Sequence, residues 1–98
     1  MTPSAFKRSL RNEDPPAGLS PALTALWWVA KNNWNTAHEL VMSAGGADCA
    51  WVHAHLHRAE GDLDNAGYWY RHARREPAKG EPKAEWAAIV ATLLDRQA

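Results

Sequence analysis

The feature that most constrains the fold of this chain is an internal repeat with a period of 29 residues. A shift by this period places alanine on alanine at four pairs of positions, namely Ala25 and Ala54, Ala30 and Ala59, Ala37 and Ala66, and Ala44 and Ala73. Small residues that recur at a fixed period are typical of helical hairpins that stack closely. The sequence therefore predicts an all-α fold, in which two tandem antiparallel helical hairpins are followed by a C-terminal capping helix.

Helix start and stop signals give the bounds of these units. Ser20 is a good N-cap in front of a proline, Asp48 and Asp62 are further N-cap candidates, and Gly45-Gly46 ends a helix. They predict one helical-repeat domain over residues 20–98, made of a hairpin over 20–45, a hairpin over 48–77 and a capping helix over 82–96.

Residues 1–19 differ from the rest of the chain, because a run rich in proline and polar residues closes them. Phe6 and Leu10 are four positions apart and so share one face of a short helix. We expect an N-terminal arm that is partly flexible and becomes ordered only where these two side chains find a groove.

The second hairpin resembles a known family. Gly61-Asp62-Leu63-Asp64-Asn65-Ala66, followed by Trp69-Tyr70 and Ala73, resembles the second half of a tetratricopeptide repeat, and its spacing is also similar to Sel1-like repeats. The resemblance covers about residues 20–77, although the period is shorter than the roughly 34 residues of tetratricopeptide repeats. It implies an α-α superhelix that serves as a scaffold for binding another protein.

A second resemblance rests on histidine-containing segments. Ala37-His38-Glu39 and His53-Ala54-His55-Leu56-His57-Arg58 resemble segments of a group of short bacterial proteins that have no assigned function. This resemblance implies no activity, substrate or cofactor.

Charge and cysteine content exclude several classes of function. Lysine and arginine number 11, as do aspartate and glutamate, so no net charge favours nucleic acid or an anionic membrane. The single cysteine, Cys49, cannot form an intrachain disulfide, which together with the lack of a signal-like N-terminus predicts a cytoplasmic protein. Because no catalytic motif accompanies Cys49, we predict no catalytic residue.

Four residues carry the chemistry of a candidate metal site. His53 and His57 are one helical turn apart, which is the spacing found in helical zinc sites, and Glu60 lies one further turn along. His38, on the preceding helix, is a candidate third ligand. The alternatives are an acid–base pair that faces a cleft, or histidines that only pack. The expectation is no cofactor, with zinc or another divalent metal as the alternative.

A candidate interaction surface comes from aromatic residues that fall off the predicted core stripes, because exposed aromatics are enriched in binding hot spots. Its predicted aromatic members are Trp28, Trp51 and Tyr68. The prediction also includes His55 and Arg58. We therefore expect a scaffold that binds a protein partner or itself, with a homodimer slightly favoured over a monomer, and we expect neither nucleic acid nor membrane as a partner.

Overall fold

The structure is a computed structural model that describes residues 1–97. Within that range the chain is all-helical and has no strand. The helices are α1 (Pro3–Ser9), α2 (Pro21–Ala30), α3 (Trp34–Ala44), α4 (Gly46–Ala59), α5 (Leu63–Ala73) and α6 (Pro82–Gln97). None of these helices is long and apolar enough to cross a membrane.

Two of the predicted N-caps are confirmed. The Ser20 hydroxyl accepts a hydrogen bond from the backbone N–H of Leu23 at 3.2 Å, and the Asp62 carboxylate accepts one from that of Asn65 at 3.3 Å. Each bond satisfies an amide that has no partner within its own helix. These caps fix where α2 and α5 begin.

The predicted cap at Asp48 is wrong. Helix α4 begins at Gly46, and its N-cap position is Gly45, three residues before Asp48, with a φ of 69° and without any side-chain cap. Asp48 therefore lies in the first turn of α4, where its negative charge interacts favourably with the positive end of the helix dipole. Its carboxylate pairs with Arg96 of α6.

The 29-residue period is also present in the helix boundaries. Helix α5 begins and ends 29 residues after α3, and α4 ends 29 residues after α2. The turns between the helices correspond as well: Asn33 N–H donates to the Trp28 carbonyl, and Asp62 N–H donates to the His57 carbonyl, each at 2.9 Å. The chain thus leaves α2 and α4 by the same turn.

Neighbouring helices pack in pairs, α2 on α3 and α4 on α5, while α3 also contacts α4. Helix α6 packs across α2 and α4 and so lies over both pairs. Fully buried side chains from three of these helices meet between them, among them Leu23, Trp27, Leu56 and Ile89. This core places α4 at the centre of the molecule, with most of its residues buried.

The N-terminal arm contains α1, which packs on α6. Phe6 has no exposed surface, and its ring centroid lies 5.9 Å from that of Trp86. The Trp27 indole N–H donates to the Ser9 hydroxyl at 3.0 Å. The groove that the sequence required for Phe6 is therefore formed by α6 and α2.

Candidate metal centre

Three histidines from two helices meet at one point. Helix α3 supplies His38, and the central helix α4 supplies His53 and His57 from successive turns. One ring nitrogen from each residue lies within 4.8 Å of the others. The structure therefore brings together three of the four predicted metal ligands.

The closest pair in this histidine trio is His38 and His53, whose Nε2 atoms are 3.0 Å apart. One ring donates its N–H to the lone pair of the other, so the accepting ring is neutral while this bond exists. Zinc–nitrogen bonds of about 2.0–2.1 Å in a tetrahedral site separate two ligand nitrogens by about 3.3 Å. The separation of this pair is therefore within a few tenths of an ångström of that between two zinc ligands, and the two rings would turn to aim their lone pairs at one ion.

Two tryptophans hold the imidazole rings in place. The Trp34 ring stacks on His38, with centroids 4.6 Å apart, and the Trp69 ring stacks on His53 at 3.9 Å; both pairs are within 14° of parallel. Trp34 is itself fixed, because its indole N–H donates to the Leu56 carbonyl at 3.1 Å. The ring planes are thus set by packing, which is what a preorganised ligand set requires.

The predicted metal site included neither Trp34 nor Trp69. The available signal was the spacing of Trp34 and His38, four residues apart on one helix. No comparable signal connected Trp69 with His53, since the two belong to different helices.

Burial favours the neutral forms of His38 and His53. Desolvation lowers the pKa of His53 to about 4, and repulsion by positive charge on His38 or His57 acts in the same direction. The pKa of His38 is also lowered, first by burial and then by His57. Neutral imidazoles present a lone pair, which is the form that binds a metal.

Glu60, the fourth predicted ligand, is not part of the histidine trio. It groups instead with His57 and Asp62, and its carboxylate oxygen lies 3.4 Å from His57 Nδ1. That nitrogen is shielded from solvent and makes no hydrogen bond within residues 1–97. Glu60 is therefore placed to orient His57, as carboxylates do behind metal-binding histidines.

The third histidine of α4, His55, belongs to a separate buried network. Its Nδ1 lies 2.8 Å from Oε1 of Glu85, and an Arg58 nitrogen lies 3.4 Å from the same oxygen. The Tyr70 hydroxyl donates to the other oxygen of Glu85, Oε2. Arg58 also donates to a backbone carbonyl in the loop before α6. His55 and Arg58, which were predicted to contact a partner, make these internal contacts, and His55 is buried.

The predicted aromatic surface is largely covered. Trp51 is only 8% exposed, so its expected exposure is wrong: the Arg75 guanidinium lies 3.5 Å above its ring. Trp28 is half-buried, edge-on against Trp27 at 5.0 Å. Tyr68 alone among the three is well exposed, at 48%.

Cys49 is buried, and burial raises the pKa of its thiol, with Asp48 adding to the effect. A thiol with a raised pKa is a poor nucleophile and a poor metal ligand at neutral pH. It packs in the core, near the start of α4.

Comparisons with known proteins give no relative for this chain. No family model matches it, and no curated protein or solved structure matches it either. The geometry around His38, His53 and His57 is accordingly the ground on which a function is proposed.

Proposed function

We propose that this chain binds one divalent transition-metal ion, with zinc as the first choice, through His38, His53 and His57. The observation that carries the proposal is the convergence of their ring nitrogens within 4.8 Å. Burial favours the neutral forms of His38 and His53, and stacking on Trp34 and Trp69 orients these two rings, which supports the same conclusion.

The donor set indicates the class of metal. All three donors are imidazole nitrogens, which suit zinc, copper, nickel and iron, whereas magnesium and calcium prefer oxygen. Three protein ligands leave one position for water, as in zinc sites that activate a bound water rather than close a fold. The proposed function is therefore metal binding at a site that keeps a position for an exogenous ligand.

Metal binding would require only a small rearrangement of protons. The proton that His38 and His53 share between their Nε2 atoms must leave that position, and a neutral imidazole carries it equally well on Nδ1. Glu60 lies 3.4 Å from His57 Nδ1 and would accept a hydrogen bond from it after a small shift of its exposed side chain; such a bond raises the basicity of a ligand ring.

A calorimetric titration with zinc at neutral pH tests this proposal. We expect one ion per chain, with a dissociation constant below about 1 μM, which corresponds to about 8 kcal/mol. His38→Ala removes a half-buried ligand and should weaken binding by more than about 100-fold, since loss of an outer-shell partner alone costs about 10- to 100-fold. Glu60→Gln should weaken it by about tenfold.

His72→Ala is the matched control, because His72 is exposed and lies outside the histidine trio. It should leave the affinity unchanged. Binding that is equal in the His38→Ala and wild-type chains, or that disappears with His72→Ala, would overturn the proposal. Circular dichroism of each variant separates loss of the site from loss of the fold.

The relation to helical-repeat proteins is proposed on separate ground. We propose that α2–α3 and α4–α5 are two copies of one hairpin unit of the tetratricopeptide or Sel1-like kind. The equal spacing of their boundaries and the matching turns support this proposal. As a scaffold for a partner, the chain offers Tyr68 as its exposed aromatic, a smaller basis than three converging histidines. Metal binding therefore stands first.

A further inference from the structure

A cavity of about 540 Å³ lies between α1, α2, α4 and α6, away from the histidine trio. This volume falls in the range of small-molecule sites, about 300–1,000 Å³. Its walls are mostly apolar and include Leu10, Val29 and Trp86. Helix α1 contributes one wall, so docking of the N-terminal arm completes the cavity.

The charged side chains that line this cavity have one sign. Lys7 of α1 and Lys83 of α6 both line it, and none of the described lining residues is acidic. Both lysines are exposed, so they lie at its rim. The chain has equal numbers of acidic and basic residues, so the two lysines form a local excess of positive charge at the rim of an apolar cavity.

One polar group lines the cavity from within. His55 is 2% exposed, and its Nδ1 is held by Glu85. Its Nε2 makes no hydrogen bond within residues 1–97, and this atom keeps a small accessible surface. The ring is thus fixed and retains slight access to the cavity, so its resonances report what enters.

We propose that this cavity binds a small organic carboxylate with an apolar body. The apolar body would lie against Leu10 and Trp86, and the carboxylate would pair with Lys7 and Lys83. The ligand class follows from the apolar walls and from the two rim cations, since no acidic residue is among the described lining residues. The proposal does not depend on the metal site.

A nuclear magnetic resonance titration of the intact chain with octanoate tests the proposal, with octan-1-ol as the uncharged comparison. We expect octanoate to shift the His55 ring resonances and to bind about fivefold more tightly than the alcohol, the effect of a partly exposed charge pair. Lys83→Gln removes one of the two cations and should reduce octanoate binding by about twofold without affecting the alcohol.

Two further variants make the test specific. Ala59→Phe enlarges an exposed side chain that lines the cavity and should abolish binding of both compounds. Lys79→Gln removes a lysine outside the cavity and should change nothing. Absence of octanoate binding, equal binding of acid and alcohol, or binding that survives Ala59→Phe would overturn the proposal. None of these variants alters a histidine, so the result is independent of zinc binding.

Discussion

At the scale of single residues, Glu85 is a buried carboxylate that depends on hydrogen bonds from its neighbours. Burial disfavours its charge, but hydrogen bonds from His55 and Tyr70 outweigh that cost, and the pKa of Glu85 is lowered. Burial and the bond to Glu85 raise the pKa of the Tyr70 phenol, which remains a neutral donor. A buried carboxylate lowers the free energy of unfolding only slightly while all of its donors are present, and much more when one donor is removed.

The lowered pKa of Glu85 makes stability depend on acid. Its folded-state pKa lies below the ordinary value of 4.5, so the unfolded chain binds the proton first as the pH falls. The stabilisation is complete above pH 4.5 and is lost as the pH falls through the folded-state pKa. Glu85→Gln should remove this part of the acid dependence and cost about 3 kcal/mol at pH 7, measured by urea unfolding between pH 7 and pH 3.

Glu81→Gln is the control for that measurement, because Glu81 is exposed in the loop just before α6. The free energy of unfolding of the Glu81→Gln chain should stay within about 0.5 kcal/mol of the wild-type value. Equal acid dependence in the wild-type and Glu85→Gln chains would contradict the role given to this carboxylate.

The sequence predicted part of the chemistry at this scale. The i, i+4 spacing placed His53 and His57 on one helical face, as observed. The roles of His55 and Glu85 were not predictable, because their contact joins residues 30 positions apart and depends on how α6 crosses α4. Local spacing gives no information about a contact of that kind.

At the scale of helices, the period and the caps were sufficient to locate α2, α3 and α5. The start of α4 was not predicted correctly, since two glycines are poor helix formers and the better cap candidate stood at Asp48. The position of Trp51 was also missed. The chain after α5 returns over α4 and brings Arg75 onto the Trp51 ring, which no helical period predicts.

Helix α1 is short, and its docking depends mainly on Phe6. Phe6→Ala removes a fully buried ring and should lower the free energy of unfolding by about 3–5 kcal/mol, measured by chemical denaturation. The variant should also weaken octanoate binding, because α1 forms a wall of the cavity.

Arg8→Ala is the matched control in α1, since its side chain is exposed. It should leave both the stability and the octanoate affinity near the wild-type values. A Phe6→Ala chain as stable as the wild type would show that the arm contributes nothing to the core.

At the scale of the whole molecule, the described chain has the size of one compact domain. Its radius of gyration is 12.3 Å, against about 13 Å expected for a chain of this length. Two helical pairs alone would leave apolar surface uncovered, and α6 and α1 cover it within one chain. A second copy is not needed to complete the core, and self-association remains a separate prediction.

The same arrangement explains why the candidate metal centre lies where it does. Helix α4 is central, so its histidines are shielded, while His38 on α3 is half-buried and gives access from solvent. The all-helical architecture followed from the repeat, whereas the approach of α3 to His53 is a tertiary contact that the repeat alone does not determine.

X-ray absorption at the zinc edge of the equimolar zinc complex tests most directly whether three imidazoles form one metal site. We expect three imidazole nitrogens at about 2.0–2.1 Å and one oxygen ligand such as water. His72→Ala should give the same spectrum, and His38→Ala should lose one imidazole. A shell of oxygen ligands with one imidazole or none would contradict the account and leave the histidine trio as packing.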